Sequence, residues 1–192
     1  MAENYIKNHL ENNEDTLTRI RNAQSLNRGK SFEELISIQC KAYRKRKEAL
    51  ILKTPEPFQV FRRTKTGFFE GRFTKSKAQP DFSGTLSTGQ SFMMEAKATS
   101  KDRILQGVLT DTQASLLDEF SSYGCVCGVI VEIQQRHFYL PYSVWKNMKE
   151  KFGHKYITCN DAADYEITQG LSGPIPFLDI VNKEGISSEN KS

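Results

Sequence analysis

Apolar positions change period several times along this 192-residue chain, and each change marks an element. Tyr5, Ile6, Leu10, Leu17, Ile20 and Ala23 recur at roughly helical spacing among abundant Asn and Glu, which predicts a helical extension over residues 1–28. Gly29 is expected to end it. A second helix then begins with Ser31 as N-cap and Glu34 at the capping-box position, three residues on. Phe32, Leu35, Ile36, Cys40 and Tyr43 supply its apolar stripe. Glu33 and Glu34 have a local explanation as first-turn acids favoured by the helix dipole. An extended segment opens at Ala49, Pro55 and Pro57 punctuate it, and Phe58-Gln59-Val60-Phe61 reads as the first strand of a sheet.

Alternation with period two takes over between Pro80 and Ala98. A three-residue turn at Ser87-Thr88-Gly89, with Gly89 as its left-handed residue, pairs Leu86 with Gln90 and sets Asp81 opposite Glu95. In that register Asp81, Glu95 and Lys97 share one face. Phe82, Leu86, Phe92, Met94, Ala96 and Ala98 share the other, which is the core face. A slip of one residue sends Asp81 to the wrong side.

A polar loop from Thr99 to Thr110 leads to a helix that starts at Thr110 or Asp111 and ends near Tyr123, with Leu116, Leu117 and Phe120 inward. Gln113 in its first turn is either an exposed polar residue or a group pointing back at the hairpin. Cys125–Val131 is a continuous apolar run, predicted as a central strand buried on both faces. Phe138-Tyr139-Leu140 is a last short strand stopped by Pro141, followed by a helix over Tyr142–Lys151 that carries the single Trp145. Ile175–Val181 reads as an edge strand before a polar, disordered tail at 182–192. The order predicts an α/β fold, a mixed central β-sheet flanked by helices.

Length suits one domain, residues 29–181, with tails. The absence of a long apolar run and of a signal-like start predicts a cytoplasmic protein with no membrane partner. Cys40, Cys125, Cys127 and Cys159 fit no zinc spacing and are expected as reduced thiols. The net charge of +4 conceals an asymmetry: residues 41–77 hold twelve Lys or Arg against three Glu, which leaves the rest of the chain net negative. A basic block ahead of an acidic pair points to a polyanion partner. Lys41, Arg44, Lys45, Arg46 and Lys47 serve equally as a solvated helix end or as phosphate contacts. Between residues 62 and 79, Arg62, Arg63, Lys65, Arg72, Lys75 and Lys77 alternate with Phe68, Phe69 and Phe73. This stretch is either a projecting hairpin whose cations meet phosphates and whose rings wedge against bases, or a surface hairpin with its rings tucked on the domain.

Two carboxylates and a lysine on one strand face suit phosphodiester hydrolysis with Mg²⁺, or Mn²⁺ in its place, because hard cations prefer oxygen ligands. Asp81 and Glu95 are the ligand candidates, joined by the main-chain carbonyl of Ala96, with Lys97 beside the attacking water. The same residues, Pro80-Asp81 and Glu95-Ala96-Lys97, resemble the PD-(D/E)xK nuclease superfamily, whose restriction-endonuclease-like core has this order of elements. Within it the chain looks most like the RecU-type Holliday junction resolvases of Gram-positive bacteria and their phages. Gly29-Lys30-Ser31-Phe32-Glu33, Lys53-Thr54-Pro55-Glu56-Pro57, Asp81-Phe82-Ser83-Gly84, Glu95-Ala96-Lys97-Ala98-Thr99 and Gln113 carry that resemblance.

The resemblance implies a homodimeric, structure-selective endonuclease acting on branched DNA, with recombination proteins as further partners. It makes Asp81, Glu95 and Glu33 metal ligands, Lys97 the catalytic lysine, Gln113 an accessory site residue and residues 62–79 a stalk that enters the junction. The alternatives are a nuclease of the same superfamily cutting ordinary duplex, and a junction-binding protein without catalysis.

Overall fold

The computed structural model describes residues 27–56, 58–73, 79–168 and 174–182. Residues 1–26 of the expected extension and 183–192 of the expected tail lie outside that range. The first described helix, α1, is helical throughout residues 27–46, so Ser31 is an interior residue and Gly29 does not break the chain. A glycine inside a helix costs only about 1 kcal/mol. The buried stripe Phe32, Ile36, Cys40 and Tyr43 outweighs it.

Five strands form the central sheet in the order β1-β4-β5-β7-β8. They are β1 (Ala49–Lys53), β4 (Phe82–Leu86), β5 (Ser91–Thr99), β7 (Val126–Ile133) and β8 (Arg136–Pro141). The β5–β7 pair is parallel and the other pairs are antiparallel. The sheet therefore begins at Ala49, not at Phe58 as expected. Phe58–Arg63 (β2) pairs only with Phe69–Phe73 (β3), in a separate two-stranded ribbon. Leu50 and Leu52 hid this in the sequence, because alternating exposure makes β1 a half-buried edge strand of modest hydrophobicity. Gly84 lets β1 and β4 approach closely: a Cβ there would lie 1.9 Å from the Leu50 carbonyl oxygen.

Two layers cover the sheet. On the face of Phe82, Phe92 and Met94, α1 packs together with residues 174–182; Phe177 stacks on Phe92 and meets Tyr43 edge-on at 5.2 Å. The expected edge strand at 175–181 is instead a turn leading into a short helix over residues 178–182. Its start is pinned by the Leu178 N–H, which donates to the Tyr43 hydroxyl, so these apolar residues cap the core and do not extend the sheet. The opposite face receives α2 (Asp111–Ser122), which buries Leu117, and α3 (Tyr142–Lys146), which buries Trp145. The predicted helix over 142–151 is broken at Asn147 into α3 and α4 (Met148–Phe152). The Gln106 amide explains the break, donating to the carbonyls of Trp145 and Lys146 at 2.8 Å each. The expected loop at 99–110 contains β6 (Arg103–Leu105), which pairs with β9 (Tyr156–Thr158). All four cysteines are free thiols, and burial pushes Cys40 up to about 12. Among the described residues no helix is long and apolar enough to cross a membrane.

Candidate nuclease site

The β4–β5 hairpin has the register read from its alternation. Phe82 pairs with Met94 and Thr85 with Ser91, which sets Asp81 across from Glu95. The Leu86 N–H donates to the Gln90 carbonyl, and Gly89 is left-handed at φ 88. Phe82, Phe92 and Met94 are fully buried on the core face. Asp81, Glu95 and Lys97 lie on the other face, beneath the N-terminus of α2.

Asp81 and Glu95 are 5 % and 1 % exposed, which is rare for carboxylates and calls for compensation. The Lys97 ammonium lies 2.9 Å from Glu95 Oε2 and 3.9 Å from Asp81 Oδ2. The Gln113 amide donates to the same Glu95 oxygen at 2.7 Å. The Ala96 N–H donates to Asp81 Oδ2 at 3.1 Å. One cation thus serves two buried acids, and burial together with the Asp81 charge pushes the Glu95 carboxyl up to about 7, against the pull of Lys97.

Pro80 has a role that its sequence position hides. Alternation of the antiparallel ladder assigns residue 80 as the next donor toward the Ala96 carbonyl, and proline has no N–H to give. The chain also bends at Asp81, so the ladder stops at Phe82 and the Ala96 carbonyl loses that donor.

Gln113 is placed by its helix. Thr110 caps α2, accepting from the Gln113 N–H, while Gln113 Oε1 accepts from the Thr110 N–H at 3.1 Å. That capping box orients the amide so that Nε2 reaches Glu95. Of the two readings open in the sequence, the one pointing back to the hairpin holds.

The acid pair, the Ala96 carbonyl and the charge deficit suit a hard divalent cation with oxygen ligands. Glu33 stands apart from this set, paired with Lys53 at 2.7 Å. Among the described residues no group of three or more His, Cys, Asp or Glu is arranged to hold a metal.

The ribbon leaves the sheet next to this site. β2 and β3 pair antiparallel from Phe58–Phe73 to Arg63–Phe69, with a bulge between Val60 and Arg62. Every residue of β2 is exposed, and Phe61, Phe68 and Phe69 are 68 %, 75 % and 59 % exposed. Arg63 lies over the Phe69 ring at 5.5 Å and Arg62 faces Glu70 at 3.8 Å. The Phe61, Phe68 and Phe69 rings are therefore not tucked on the domain. The base of the ribbon lies at Phe58, four residues earlier than expected. Lys75 and Lys77 fall outside the described residues, as does the Phe73 side chain.

Sequence reasoning missed Thr54. Its N–H donates to the Asp81 carbonyl at 2.8 Å and its hydroxyl to the Pro80 carbonyl at 2.6 Å. Its motif, Lys53-Thr54-Pro55-Glu56-Pro57, was singled out only for its resemblance, and gave Thr54 itself no role.

The chain is 25 % identical over 176 residues to the Holliday junction resolvase RecU of Streptococcus pneumoniae (strain Taiwan19F-14), a match covering 86 % of this chain and 88 % of that protein. Among solved structures it is similar to Hjc of Archaeoglobus fulgidus, a Holliday junction resolvase from an archaeal hyperthermophile. The TM-score is 0.46 at 12 % identity, over 79 % of this chain and 99 % of that one. The sequence model of the Recombination protein U (RecU) family matches residues 27–183, which take in α1, the exposed ribbon, the acid hairpin and α2 together. A match over that span, with its elements in this order, makes the chain a member of the Recombination protein U family.

Proposed function

We propose that this chain is a Holliday junction resolvase, a divalent-metal-dependent endonuclease that works as a homodimer and nicks four-way DNA junctions symmetrically. The observation that carries this reading is the buried Asp81–Glu95–Lys97 cluster at the foot of an exposed, basic and aromatic ribbon. Family membership and the junction resolvase named above support it. Work on junction DNA is compatible with a cytoplasmic location.

Asp81, Glu95 and the Ala96 carbonyl would hold Mg²⁺ or Mn²⁺, with Glu33 approaching from α1 once released by Lys53. When bound, the cation offsets charge developing on the scissile phosphate and acidifies a coordinated water. Lys97 orients the attacking water and counters the negative charge of the pentavalent phosphorus. Gln113 fixes the rotamer of Glu95, and the dry floor formed by the β5 core holds the acids in place. Arg62, Arg63, Lys65 and Arg72 neutralise phosphates, while Phe68 and Phe69 pack against unstacked bases at the crossover. A two-fold enzyme matches a two-fold substrate.

The test is incubation of the protein with a synthetic four-way junction and with linear duplex of the same sequence, in Mg²⁺ or Mn²⁺. Paired nicks near the crossover are expected, lost in Glu95→Gln while junction binding persists. Equal cleavage of the linear duplex would replace this reading with a general duplex nuclease. No cleavage with either metal would remove the enzyme.

A further inference from the structure

Thr54 stands where the chain leaves the sheet for the ribbon, and Pro80 and Asp81 stand where it returns. The excursion between them spans 26 residues, and Thr54 closes it with two hydrogen bonds to successive carbonyls. The N–H bond to Asp81 continues the β1–β4 ladder one step beyond Lys53–Phe82. Asp81 needs it. Opposite Glu95 it occupies a non-hydrogen-bonded ladder position, as alternation from the Leu86–Gln90 pair requires, so β5 gives its main chain no support. Its side chain has the Ala96 N–H, and its main-chain carbonyl has Thr54.

The hydroxyl bond does something different. A valine at 54 keeps the ladder bond and the β-branched shape, and loses only the grip on Pro80. Pro80 cannot replace that grip with an N–H of its own. The Thr54 hydroxyl therefore anchors the residue before Asp81, and adds to the Thr54 N–H and the Ala96 N–H in holding the bend that aims the Asp81 carboxylate toward Glu95. The same hydroxyl joins the chain leaving β1 to the chain entering β4.

We infer that Thr54 is a positioning residue that holds Asp81 in metal-binding geometry and fixes the root of the DNA-engaging ribbon against the acid pair. The inference rests on the metal role proposed for Asp81. A substrate seated correctly on the ribbon is then registered with the scissile phosphate over the acids, and a loosened root separates binding from cutting.

The experiment compares wild type, Thr54→Val and Thr54→Ser in three measurements: single-turnover junction cleavage as a function of Mg²⁺, junction affinity without metal, and Mn²⁺ titration of the protein alone. Thr54→Val is expected to cleave about tenfold more slowly at limiting Mg²⁺, in line with the effect of outer-shell changes. Its Mn²⁺ affinity should fall several-fold and its junction affinity stay within about twofold, with the cleavage deficit narrowing as metal is raised. Thr54→Ser, which keeps the hydroxyl, should restore both metal affinity and rate. Wild-type metal affinity and rate in Thr54→Val would overturn the inference. So would a deficit that is independent of metal and matched by lost junction binding, since that is the signature of a damaged fold. Inactive wild type would instead overturn the proposed function, and Mn²⁺ affinity unaffected by Glu95→Gln would overturn the metal role of the acid pair.

Discussion

The Gln113 amide donates to Glu95 at 2.7 Å while its own oxygen accepts from the Thr110 N–H. One side chain thus caps α2 and holds the most buried acid of the site. Changes at Gln113 should register in both stability and activity. Gln113→Ala should cut junction cleavage by about 10–100-fold, the usual cost of losing a partner that orients a metal ligand. It should also destabilise the protein by about 1 kcal/mol through the lost capping box, read as a shift in denaturant midpoint. A midpoint shift with full activity would separate the two roles and leave only the cap.

Metal-free protein should lose stability as pH rises through neutrality. Glu95 titrates near 4.5 in the unfolded chain and at about 7 in the folded one, because burial and the Asp81 charge disfavour its ionised form. Between those values the native state binds more protons than the unfolded state, so the slope of stability with pH is negative. Denaturant titrations from about pH 5 to about pH 8 should show the decline, and Glu95→Gln should flatten it. Added Mg²⁺ should reverse it in wild type, because a bound cation favours both carboxylates ionised. Equal slopes in wild type and Glu95→Gln would remove Glu95 as the cause.

Replacing Phe68, Phe69 and Arg72 with Ala or Ser should weaken junction binding more than duplex binding. These side chains are exposed, so the thermal midpoint should move little. The Arg72 change alone should also reduce the salt dependence of binding, as expected for one lost phosphate contact. Equal losses on junction and duplex would argue against a wedge at the crossover.

Gly84→Ala probes the sheet itself. With 1.9 Å between the new Cβ and the Leu50 carbonyl, β1 must move away from β4, and a cost of about 1–3 kcal/mol is expected. Because β1 leads directly into Thr54, activity should fall beyond what the loss of folded protein explains. Cleavage per folded molecule, corrected by denaturation, measures the difference.

The parts of this molecule legible from sequence are those governed by local rules. Asp81 and Glu95 meet because side-chain alternation and a left-handed Gly89 leave one workable register. Gln113 sits at the start of α2 because a capping box needs it there. The misreadings share a different cause, tertiary competition. Ser31 looks like a cap, but the buried stripe from Phe32 to Tyr43 carries the helix past it. Phe58–Phe61 looks like a sheet strand, yet it leaves the sheet entirely. Ile175–Val181 has strand-like residues, but Tyr43 and the aromatic layer around Phe177 hold it as a turn and a short helix. The role of Thr54 was not legible because its partners lie beyond the ribbon, and nothing local marks a bond across 26 residues.

The sheet order also bears on how the site is assembled during folding. Asp81 and Glu95 come together through a short hairpin, which closes on the microsecond scale. Gln113 arrives only when the crossover between β5 and β7 completes their parallel pairing, a slower and less local step. A chain part-way through folding therefore brings its two acids together before it has the amide that steadies them. Neutralising Glu95 relieves that early repulsion, so Glu95→Gln should refold faster than wild type in the absence of metal and unfold at nearly the same rate.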